Sequence, residues 1–127
     1  MKIGGTIARY LLGLMFLVFG LNMFLQFMKG QMPPGLAGQF SGVLFASHYF
    51  YVVGALMVIS AILFLFNRYV GLGLTLLGPV LFNILLFHIL MNPSGIGPGA
   101  FATLLWLLVA WQHRRVFERL FAARLEE

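Results

Sequence analysis

The sequence predicts an all-α integral membrane protein: a four-helix transmembrane bundle, with a short interfacial helix in its first outer loop and an amphipathic C-terminal extension. Three observations lead there. The 127 residues are 61% hydrophobic and 9% charged, where soluble domains carry about 25% charged residues. Four stretches are apolar over lengths near the ~20 residues that a spanning helix needs. The first acidic residue is Glu118, so no carboxylate interrupts any of the four stretches. Backbone groups in lipid must pair within their own segment, which makes these stretches helices rather than strands of an open sheet. The whole chain reads as one domain.

The first helix is expected over about residues 6–28. Lys2 precedes it in the manner of a signal peptide, but the apolar run is too long for that and no small-residue cleavage site follows. The connection after it is the longest and contains Pro33, Pro34, Gly35, Gly38 and Gly42. Within it Leu36, Phe40, Val43 and Leu44 recur at helical spacing, which predicts a short interfacial helix capping the outer mouth. The second and third helices are expected over 49–66 and 71–91, joined by the tight Asn67–Arg68 turn. A turn rich in glycine and proline, Asn92 to Gly99, leads to the fourth, over 98–116. Beyond it, Phe117, Leu120, Phe121 and Leu125 share one face of an amphipathic tail running to residue 127, whose arginines suit anionic headgroups.

Eight basic and three acidic residues give a net charge of +5. The cations lie at helix ends: Lys2 and Arg9, Arg68, then Arg114, Arg115, Arg119 and Arg124, with Lys29 alone in the first and third connections. That distribution orients helices in a bilayer and is no nucleic-acid footprint. By the positive-inside rule both termini and the Asn67–Arg68 turn are cytoplasmic. The compartment implied is a membrane, and the first partner is the lipid bilayer.

Polar residues inside the helices mark the candidate site. On helix one, Arg9, Gly13, Phe16 and Gly20 share a face where glycines admit a neighbouring backbone, and Arg9 is near enough to the end to snorkel. Asn22 and Gln26 stand one turn apart on another face. On helix three, Thr75, Pro79 and Asn83 stack at four-residue intervals, and His88 follows about 140° round the helix from Asn83. Asn22 and His88 each lie about 25 Å up their helices from the cytoplasmic end. Asn22, Gln26, Asn83, His88 and His48 are therefore expected to converge in the outer half of the bundle as a binding site for a quinone or similar lipid. An imidazole and amides can donate to or accept from such a head. The competing expectation is that these groups pair across helices as structural hydrogen bonds.

Other chemistries find no residues. There is no cysteine, hence no disulfide or thiol chemistry. His113 falls on the opposite side from His48 and His88, so no three histidines share a side to hold a metal. No carboxylate stands near the outer serines to orient a histidine for nucleophilic catalysis. The chain is not expected to be an enzyme on its own.

The run Arg9-x-x-Leu-Gly-Leu-x-Phe-x-x-Phe-Gly-Leu-Asn22 resembles the opening signature of the DoxX family of small membrane proteins. Asn67-Arg-Tyr-Val-Gly-Leu-Gly-Leu and Gly78-Pro-Val-x-x-Asn83-Ile-Leu-Leu-Phe-His88 resemble the second half of its DoxX-like branch. The resemblance implies a four-helix membrane subunit associated with a redox system of the thiosulfate:quinone oxidoreductase or terminal oxidase kind, with a redox partner or further copies of itself beside it. In helix two, Met57 stands where the family commonly carries an acid. Two further readings fit the sequence: a membrane interaction or assembly protein without ligand chemistry, its contacts made through the Gly13–Gly20 face and the tail, and a small facilitator-type transporter.

Overall fold

The computed structural model describes residues 2–27, 30 and 32–124. Among these the fold is all-α, with six α-helices: α1 (Lys2–Leu25), α2 (Gly35–Ala46), α3 (Tyr49–Leu65), α4 (Val70–Met91), α5 (Gly97–Gln112) and α6 (Arg114–Leu120). A single 3-10 turn, Pro93–Gly95, separates α4 from α5. Leu125 and Glu126 of the expected amphipathic tail lie outside the described residues.

Four of the helices supply one core. Leu12 and Phe16 of α1, Ala61 and Phe64 of α3, Leu74 and Leu77 of α4, and Leu105 and Val109 of α5 are all buried in it. Each of α1 and α4 packs against both α3 and α5. Small residues set the closest approach, between α1 and α3. A Cβ placed on Gly20 would stand 3.1 Å from the Gly54 carbonyl oxygen, and one on Gly13 would stand 3.3 Å from that of Ala61. Close backbone packing of this kind holds helices together where lipid removes the hydrophobic drive. The Gly13–Gly20 face is thus covered by α3 and is no open contact surface.

Arg9 turns inward. It is only 7% exposed, and its Nη1 donates to the carbonyl oxygen of Phe64 in the last turn of α3. The expectation that it would snorkel outward is corrected for a physical reason. The C-terminal carbonyls of a helix carry partial negative charge and lack helical partners, so they attract a guanidinium within reach. The Tyr10 ring, 4.5 Å from the guanidinium carbon, covers it from the side.

Helix ends differ from the expected bounds by more than one residue at three places: α1 begins at Lys2 instead of near residue 6, and α1 and α5 end early. Met28, the expected end of the first helix, lies outside the described residues. α1 stops at Leu25 because Gln26 takes a left-handed backbone with φ 51°. α5 stops at Gln112, so the fourth helix does not run on to 116. His113 leaves helical geometry, and its backbone N–H and its Nδ1 both reach the Val109 carbonyl, at 3.1 and 3.0 Å. Arg114 donates to the Trp111 carbonyl at 3.0 Å. Basic groups on the last carbonyls of α5 stabilise that end and let α6 start in a new direction.

Much of the exterior is apolar: Phe82, Leu104 and Leu90 are 64%, 61% and 71% exposed. Soluble monomers rarely leave apolar patches beyond a few hundred Å². By length and composition α1 and α4 can each cross a membrane; at 1.5 Å per residue they are about 36 and 33 Å long, against a hydrocarbon core of about 30 Å. α3 alone reaches about 25 Å; joined to α2 it meets the same criterion, across a bend of 84°. α5 is apolar and shorter.

Candidate functional site

The bend between α2 and α3 builds a cleft. Ser47 closes α2, with its N–H on the Val43 carbonyl at 2.9 Å. His48 then adopts φ 62°, a left-handed conformation that redirects the chain within one residue. α2 is thereby laid across α3 and α4, touching both. The space enclosed is about 660 Å³, within the 300–1,000 Å³ usual for pockets that take a small molecule.

Its lining is mostly apolar. Met57 and Val80 lie at its inner end, Val53 and Phe50 along α3, and Leu44 and Phe40 come from α2. Phe40 stacks on Phe87 of α4, ring centres 5.9 Å apart, and so closes the cleft from above. Pro79, Asn83, Leu86 and Leu90 line one side. They follow one another at intervals of three or four along a single exposed stripe of α4, so the cleft opens sideways along that helix.

Four polar side chains reach this lining: Asn83 and His88 from α4, Ser41 from α2 and Tyr49 from α3. Asn83 donates through Nδ2 to the Pro79 carbonyl at 2.8 Å. His88 Nδ1 lies 2.8 Å from the Ile84 carbonyl. Both side chains therefore bond back along their own helix by four residues and, among the described residues, pair with no other helix. The amide keeps one N–H and its oxygen for a ligand, and the imidazole keeps Nε2.

The five residues singled out in the sequence separate into groups. Asn83 and His88 face the same cleft. His48 stands outside it, exposed, its ring stacked at 5.2 Å on Tyr51, which in turn stacks at 5.4 Å on Phe24 of α1. Asn22 is half-buried on α1 and Gln26 is exposed beyond its end. No α1 residue lines the cleft. Thr75 of the Thr75–Pro79–Asn83 stack bonds the Gly71 carbonyl at 2.9 Å and is not in the lining. Ser41 and Tyr49 are the polar lining residues that sequence reasoning missed. Ser41 could have been found, since it follows Phe40 on the expected short helix; Tyr49 required the bend. Among the described residues no three histidine or carboxylate side chains gather as a metal ligand set.

Comparison with known proteins gives no match: not to a family model, a curated protein or a solved structure. The chemistry of the cleft carries the functional reading.

Proposed function

We propose that this chain is an integral membrane protein of four spans, with both termini on the cytoplasmic side, that binds a quinone or similar amphiphilic lipid in the cleft between α2, α3 and α4. The supporting observation is the cleft itself, an apolar space of about 660 Å³ with Asn83 and His88 in its lining. A headgroup resting there meets an amide and an imidazole whose ligand-facing atoms are unspent. Its tail leaves along the exposed α4 stripe into the surrounding hydrocarbon. α2 lies at the outer interface, and the α6 arginines lie at the cytoplasmic headgroups.

In the role that the resemblance to the DoxX family implies, such a protein sits beside a membrane redox system of the bacterial inner membrane. In that role the chain holds the lipid and a partner moves the electrons, since a sequence without cysteine offers no thiolate for a cluster or for disulfide exchange. It is a binding subunit and not an enzyme by itself.

The test is mass spectrometry of what co-purifies with the protein in mild detergent, against an Asn83→Leu/His88→Leu variant that keeps its helical circular dichroism. A quinone or one defined lipid retained by the native protein and lost from the variant supports the reading. The same bulk phospholipid in both sinks it.

A further inference from the structure

The hydrogen-bond polarity of the cleft goes one step further than the reading above, on which it rests. The Ile84 carbonyl can only accept, so at 2.8 Å the hydrogen of a neutral His88 ring is on Nδ1. Nε2 is then a lone-pair acceptor, and it has no protein donor among the described residues. Gly95, in the turn after α4, lies along the Cδ2–Nε2 edge of the ring, where a Cβ on that glycine would stand 3.3 Å from Nε2 and 3.1 Å from Cδ2. Asn83 adds a second acceptor, its Oδ1, because its bond to Pro79 uses the amide nitrogen. Against these two acceptors the α4 wall offers one spare donor, the second amide hydrogen of Asn83. Ser41 and Tyr49 either donate or accept and do not tip the balance.

We infer that, within the class of quinone-type and similar lipids proposed above, the cleft prefers a head that carries a hydroxyl donating to Nε2 of His88 over one that presents only carbonyl or ether oxygens. For a quinone the preferred head is its reduced hydroquinone form. A carbonyl oxygen set against Nε2 would place two acceptors face to face. Two lipid classes supply such a hydroxyl, a long-chain prenyl alcohol and a hydroquinone with an apolar tail.

Each class is tested with a pair of probes that differ at the hydroxyl. These are geranylgeraniol against its methyl ether, and a decyl hydroquinone against its dimethyl ether, titrated into the full chain in mild detergent. One hydrogen bond corresponds to about a three- to tenfold preference. The expected result is that preference for the hydroxyl member of at least one pair, and the pair that shows it identifies the class. It should fall to parity in His88→Phe, which keeps the apolar wall, and shrink in Gly95→Ala, which crowds Nε2 while leaving the Nδ1 bond in place. Equal affinity within both pairs, or a preference that survives His88→Phe, overturns the inference and leaves the cleft reading standing. No saturable binding of any of the four probes, nor of the parent decyl benzoquinone, removes both.

Discussion

Arg9 in α1 holds the last turn of α3 through the main-chain carbonyl of Phe64. The bond joins residues 55 apart in sequence, and it lies one turn of α1 from Gly13, where that helix meets Ala61 and Leu65 of α3. Charge and close packing thus act on the same end of one helix pair. Arg9→Leu is expected to cost about 2 kcal/mol, the loss of a charge-assisted hydrogen bond, with Arg9→Lys recovering part of it. Thermal unfolding in detergent reads the difference, and an unchanged midpoint in Arg9→Leu would show that the bond adds nothing.

The glycines between α1 and α3 should be intolerant in a graded way. A side chain on Gly20 meets Val58 at 2.8 Å, Met57 at 3.0 Å and the Gly54 backbone at 3.1 Å. Of these the backbone cannot move aside. Gly20→Val should therefore cost about 1–3 kcal/mol by overpacking. Gly42 of α2 has nothing within 4 Å, so Gly42→Ala should be neutral or stabilising by up to about 1 kcal/mol. Equal melting of the two variants would contradict the packing described.

Trp106 of α5 donates through Nε1 to the Leu74 carbonyl of α4 at 3.1 Å, beside Gly78, whose added Cβ would sit 3.4 Å from the ring. Trp106→Phe keeps an aromatic ring there and removes the donor. The expected loss is about 1 kcal/mol. In the Gly78→Leu background the ring is displaced, so the same change should then have little effect. A double-mutant cycle with no coupling would remove this bond from the account.

Ser60 is fully buried in α3, and its hydroxyl has no hydrogen-bond partner among the described residues. Desolvating a hydroxyl without a partner costs about 1–3 kcal/mol. Ser60→Ala should raise the unfolding midpoint, where most buried substitutions lower it. A lowered midpoint would mean that the hydroxyl is satisfied in solution.

The all-α class was legible because it rests on composition and run length, which need no knowledge of neighbours. Depth was inferred from sequence position at 1.5 Å per residue along a helix. What depth lacks is the angle around the helix cluster. Asn22 and His88 were expected together because they share a height, yet α1 contributes nothing to the cleft that His88 lines. The pair Asn83 and His88 was readable because both lie on one helix, where the 140° between them suits two sides of one space. The cleft itself depends on His48 at φ 62° and on an 84° bend. Neither leaves a trace in hydropathy. The inward turn of Arg9 was hidden for a related reason: its partner is a backbone carbonyl, which every residue possesses and no motif marks.

The exposed stripe of Pro79, Asn83, Leu86 and Leu90 along the mouth of the cleft bears on how occupancy must be measured. With the chain seated in a bilayer as proposed, that mouth faces lipid tails, and a ligand arrives by two-dimensional diffusion within one leaflet. Its governing concentration is then its mole fraction among the lipids, whatever its solubility in water. Every phospholipid competes weakly for the same space, as a solvent does. Affinities for this protein are therefore properties of a mixture, comparable only at a fixed ratio of ligand to lipid or detergent.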